Sequence, residues 1–191
     1  MDAPDTAWVA GLAEEHGRMV LTTAWRILGE SGGAEDTQQT VFLELLRMKP
    51  AKRVAVRQWG AMLRVMATRT ALDQLRRQRH QTESDMLEQA QAPMEEGPEF
   101  QLAQKQRATR LRNMLRSLPP KDAQIFALRY FEDLAYDQIA KVLGLSESAV
   151  GVRLHRARKK LEALTAAPES KGFLAVWPRL FRKKEESHVK G

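Results

Sequence analysis

Residues 145–164, LSESAVGVRLHRARKKLEAL, constrain this chain more than any other stretch. Written as a helix, they carry one apolar seam: Val150, Leu154, Ala157, Leu161 and Leu164, at steps of four, three, four and three. A helix with that period packs one side against its own protein. The remaining surface is cationic, because Arg153, Arg156, Arg158, Lys159 and Lys160 follow Val150 with no acid among them. Such a helix calls for an apolar partner inside the chain and an anionic one outside it; the alternative is a solvated basic face on a bundle.

The residues just before it decide between these. A preceding helix would present Ile139, Ala140 and Leu143, with Ala140 small enough for a close helix crossing. Gly144 can take a positive φ at a turn, Leu145 can plug the core, and Ser146 can cap the next helix. That is the grammar of a helix-turn-helix, whose second helix enters the major groove with its early residues toward base edges. Ser146, Glu147, Ser148, Gly151 and Val152 fall early enough for that, followed by His155. Arg153 and Arg156 can meet guanine edges or phosphate; Arg158, Lys159 and Lys160 suit backbone phosphate.

Composition agrees. The formal charge of +7 and pI near 9.9 point to an acidic partner, most commonly nucleic acid. Cysteine is absent, and the histidines at 16, 80, 155 and 188 match no metal-ligand spacing, so neither a metal nor any other cofactor is expected. No apolar run is long enough to span a bilayer, and the N-terminus resembles no secretory leader, so a cytoplasmic protein is the expectation.

The chain divides by composition into residues 1–80, an acidic linker at 81–104, a second block at 105–165, and a basic amphipathic tail at 166–191. No strand alternation persists, so the fold expected is all-α: two small helical domains on a flexible linker, the C-terminal one a helix-turn-helix. In the first block the pattern predicts helices near 6–17, 18–28, 34–47 and 57–79, with Gly32-Gly33 as a turn and MKPAKRVAVRQ as a basic loop. The second block should open with a helix near 105–116, and LPP at 118–120 should end it and start the next.

The run LPPKDAQIFALRYFEDLAYDQIAKVLGLSESAVGVRLHRARKKLEAL resembles region 4 of bacterial RNA polymerase sigma factors of the extracytoplasmic-function (ECF) group, in order and in spacing. The first block is similar to region 2 of that family, through AWRILGESGGAEDTQQTVFLELLR and ALDQLRRQRH. The resemblance implies a transcription initiation factor that is not an enzyme and takes no small-molecule substrate. It would bind core RNA polymerase and promoter DNA, with an anti-sigma protein as a further candidate partner. Membrane contact would come only through such a partner or through the tail.

Residue by residue, the resemblance places Asp36, Gln39 and Phe42 on the helix that meets the clamp helices of the polymerase's largest subunit. Phe42 has a competing place in the core. Asp73, Arg76, Arg77 and Arg79 match the end of the helix that meets the minus-10 element. Lys49, Lys52, Arg53 and Arg57 match the loop that holds an unpaired non-template base. Ser146, Glu147, Ser148, Gly151, Val152, Arg153, His155, Arg156 and Lys159 match the minus-35 helix. The acidic linker would follow the polymerase cleft.

The chain also departs from the family pattern. Ala135 stands where a Ser or Thr cap is usual, a loss of about 1 kcal/mol of capping. Gly151 sits inside the recognition helix at a cost of up to about 1 kcal/mol against alanine. The tail, with Phe173, Trp177 and Phe181 among arginines and lysines, suits a membrane, a partner or, preferentially, the protein's own surface. Two other classes fit less well. A dimeric helix-turn-helix regulator would leave the first block without a use. An enzyme would need a phosphate-cradling loop or nucleophile motif that the sequence lacks.

Overall fold

The computed structural model describes the backbone of residues 3–81 and 98–165, with side chains over 6–78 and 108–164. Every regular element among the described residues is an α-helix. Helices α1 (Ala3–Leu28), α2 (Ser31–Leu46), α3 (Pro50–Val54) and α4 (Trp59–Gln81) make the N-terminal unit. Helices α5 (Pro98–Ser117), α6 (Pro120–Tyr130), α7 (Tyr136–Leu143) and α8 (Glu147–Thr165) make the C-terminal one.

The first unit is built on residues three and four apart. Val9 and Leu12 of α1, Val41 and Leu45 of α2, and Leu63, Met66 and Ala67 of α4 share one buried cluster. Trp8 and Trp59 close its end edge-to-face, with ring centroids 5.1 Å apart.

Several local expectations change. One helix replaces the pair at 6–17 and 18–28, because Gly17 stays helical and its carbonyl accepts a hydrogen bond from Gln38 Nε2 at 2.8 Å. The Gly32-Gly33 turn is instead the first turn of α2. The chain reverses earlier, at Gly29, whose φ of +74° suits a residue without a Cβ. The basic loop contains the short helix α3, which Pro50 starts. Helix α5 begins at Pro98, inside the stretch read as linker; the rest of that stretch, 82–97, lies outside the described residues, as does the tail at 166–191.

In the second unit, Val150, Leu154, Ala157 and Leu161 are buried as the seam requires, against Phe126 and Ile139. Leu164, the seam's fifth member, runs past the core and is 45% exposed.

The two units pack against each other. A single cluster joins Ala24, Ile27, Leu28, Leu72 and Leu75 of the first to Leu115, Leu118 and Phe126 of the second. Arginines border it. Arg26 and Arg64 both reach Glu132, at 3.2 and 3.4 Å, and the Glu132 side chain is only 3% exposed. Arg26 also donates to the Phe131 carbonyl at 2.7 Å, and Arg116 Nε donates to the Leu75 carbonyl at 2.9 Å. Arg112 donates to the Leu28 carbonyl at 3.2 Å, its guanidinium lying where a side chain on Gly29 would project. Burial lowers the Arg112 pKa from its ordinary value, and the nearby Glu30 opposes that shift. The Leu28 carbonyl at the α1 terminus, left unused by its own helix, thus serves as an acceptor between the units.

Candidate nucleic-acid interface

The helix-turn-helix forms as its residue types dictate. Ala135 offers no side-chain cap to α7, yet Gln138 Oε1 accepts the Ala135 N–H at 2.8 Å, which restores half of a capping box. Gly144 ends α7 in the left-handed region at φ +65°. The Leu145 N–H then returns to the Ala140 carbonyl at 2.9 Å. Ser146 Oγ accepts the Ala149 N–H at 3.2 Å and lies 3.0 Å from Ser148 Oγ, so it caps α8 as expected.

Helix α8 sorts its predicted contacts into two groups. Ser148, Val152, His155, Arg156 and Lys159 follow one another at helical spacing and are exposed, as are Ser146 and Glu147 at the helix start. Gly151 is half-buried beside Tyr136. Arg153 turns inward, donating from Nη1 to Asp122 Oδ1 at 2.9 Å. Asp122 is 5% exposed and lies in the first turn of α6, where the helix dipole favours an anion. Arg158 also turns inward, donating to the Tyr130 hydroxyl at 2.7 Å and the Tyr136 hydroxyl at 3.3 Å. Burial raises the Tyr130 pKa above its ordinary value, and Arg158 partly opposes this. Arg153 and Arg158, read from sequence as DNA contacts, therefore hold α8 on its own unit, while Arg156, Lys159 and Lys160 are the exposed cations of the helix.

The minus-10 candidates divide likewise. Lys49, Lys52, Arg57 and Arg77 are exposed. Arg53 is drawn in, donating from Nε to the Met48 carbonyl at 2.8 Å with its guanidinium 4.7 Å from the Trp8 ring centroid. Arg76 is half-buried and pairs with Asp73 at 3.1 Å, while its Nη2 is buried with no hydrogen-bond partner among the described residues. The Arg79 side chain lies outside the described residues. The cations of α3 and of the end of α4 are on separate elements.

On α2, Asp36 and Gln39 are exposed on neighbouring turns, whereas Phe42 is half-buried against the first unit's core. Leu43 completes the exposed face instead: it is 51% exposed and stands four residues after Gln39. The family resemblance points to Phe42 through AED..Q..F and does not single out Leu43. Trp25, 50% exposed, stands beside a shallow cleft lined by Leu21, Ala34 and Glu35. Among the described residues no cluster of metal-ligating side chains occurs, and no helix is long and apolar enough to cross a membrane.

An all-helical pair of units whose second member presents a capped, basic helix places this chain in the class of helix-turn-helix proteins. Family models narrow the class: Sigma-70 region 2 matches residues 12–81, and Sigma-70, region 4 matches residues 108–161. Together they cover well over half of the chain, which belongs to the sigma-70 family, in its ECF group.

It is similar to the ECF RNA polymerase sigma factor SigE of Mycolicibacterium smegmatis, 28% identical over 161 residues, covering 83% of this chain and 62% of that protein. It is likewise similar to the ECF RNA polymerase sigma factor BldN of Streptomyces coelicolor, 27% identical over 163 residues, covering 81% of this chain and 62% of that protein. The chain thus spans less than two thirds of the length of these relatives. Its fold is similar to that of CnrH, solved in complex with the cytosolic domain of CnrY, with a TM-score of 0.52, 21% identity, and coverage of 84% of this chain and 88% of that one.

Proposed function

We propose that this chain is a transcription initiation factor with no catalytic activity of its own. Joined to core RNA polymerase, it recognises minus-35 and minus-10 promoter elements and favours opened DNA. The observation that carries this reading is the presence on one chain, in family order, of a region 2 unit and a region 4 unit that each expose cations.

In the second unit, the exposed stripe from Ser148 to Lys159 supports docking in the minus-35 major groove. In the first, Lys49, Lys52 and Arg57 suit the phosphates of an unpaired strand, and Arg77 suits the duplex just upstream. Capturing unpaired bases draws the closed–open equilibrium toward open DNA, because a ligand that prefers one state shifts the population to it. The exposed face of Asp36, Gln39 and Leu43 supports docking on polymerase. Two modest grips on one enzyme reinforce each other through effective concentration. An anti-sigma protein is a further partner consistent with this reading.

The test is run-off transcription with core polymerase and a genomic promoter pool. Defined transcripts that require this protein are expected. Failure to co-elute with core polymerase on gel filtration, together with no dependent transcript, overturns the reading.

A further inference from the structure

Within the outward stripe of α8, Val152 is the apolar member. It is 52% exposed, one turn after Ser148 and one turn before Arg156. Beside it, Gly151 interrupts the helix interior, where alanine is the better helix former. Among the described residues, internal packing does not ask for that glycine: a Cβ there would meet only Tyr136 Cε2, at an ordinary 3.8 Å. What lies outside the protein is therefore the remaining reason for a bare backbone at this point. Two of the helix's arginines do not compete for the same ground, since Arg153 bonds Asp122 and Arg158 bonds Tyr130 and Tyr136.

A major groove presents one apolar group to such a surface, the C5-methyl of thymine; every other base edge there offers donors or acceptors that valine leaves unpaired. We propose that Val152 is a specificity-determining residue that packs on a thymine methyl in the minus-35 element, and that Gly151 lets the helix backbone come close enough for that contact. This rests on the reading of α8 as the minus-35 helix. Ser148 and Arg156, one turn to either side, meet the polar edges of neighbouring pairs.

The experiment uses holoenzyme made from the full chain and core polymerase. An upstream sequence is selected from duplexes randomised over the minus-35 region. Each thymine of the selected site is then replaced singly by deoxyuridine, which removes only the methyl. One replacement should weaken wild-type binding by about 4-fold, the value of one buried methyl-sized group. With Val152→Ser that replacement should make no difference. Gly151→Ala should raise the thermal stability of the protein and still weaken binding to the selected site.

A site at which no deoxyuridine matters, or one at which Val152→Ser keeps the wild-type sensitivity, overturns this inference and leaves the functional reading standing. A selection that returns no upstream preference overturns both.

Discussion

Arg153 of α8 and Asp122 of α6 form an ion pair at 2.9 Å, with the Asp122 side chain 7% and the Arg153 side chain 30% exposed. The pair crosses from α8 to the helix beneath it, so it fixes how α8 sits. Asp122→Ala should destabilise the second unit by about 1–3 kcal/mol, reduced from the value of a fully buried pair by the exposure of Arg153. Chemical denaturation followed by circular dichroism measures this. An unchanged midpoint would mean that the pair contributes nothing to the seating of α8.

Glu132 is one point where the two units meet electrostatically. Arg26 and Arg64 arrive from one unit, and a nearly fully covered carboxylate receives them from the other. Glu132→Ala removes that anion and leaves two arginines facing each other. The units should separate more readily, at a cost to their contact of about 1–2 kcal/mol given the partial exposure of both arginines. Small-angle scattering should then show a larger radius of gyration than the wild type; an identical profile argues against this role.

Arg77 and Arg76 are sequence neighbours with different surroundings. Arg77→Ala should reduce open-complex formation by about tenfold, the loss of one charge-assisted contact, with polymerase binding intact. Arg76→Ala should do less, because Arg76 is already engaged by Asp73. Permanganate reactivity of unpaired thymines, read beside co-elution with polymerase, distinguishes the two. Equal defects would remove the distinction.

Tyr130 gives the second unit an alkaline limit. Its folded-state pKa is raised by burial, so the folded form holds the hydroxyl proton to higher pH than the unfolded form. Stability is therefore full below the unfolded value of about 10 and falls as pH rises past it toward the folded value. Thermal melts across that range should show the decline, and Tyr130→Phe should flatten it.

Much of the helix-turn-helix was legible because its signals are local. Gly144, Leu145 and Ser146 act within a turn of where they stand, and the seam from Val150 to Leu161 states its period directly. The partners of the arginines were not legible. Arg153 finds Asp122 across 31 positions and Arg158 finds Tyr130 across 28, separations that no periodic pattern records. Read alone, a cation on a basic helix belongs to the solvent side. Helix α5 was placed too late because its first residues lie in an acidic stretch without an apolar period, although Pro98 was available as a start signal. The packing of α4 on α5 and α6 was invisible for a different reason: an apolar residue such as Leu72, Leu75, Leu115 or Phe126 shows that it needs cover but not which unit supplies it.

That continuity has a price. The proposed function asks one chain to reach two separate promoter elements, whereas a compact body of this size is about 40 Å across. On the proposed function, reaching both elements at once would require the halves to part along Leu72 and Leu115, exposing apolar side chains that their contact keeps covered. On that reading the seam between Leu72 and Leu115 sets how far one molecule extends along a duplex, and a partner that grips each half would lengthen it.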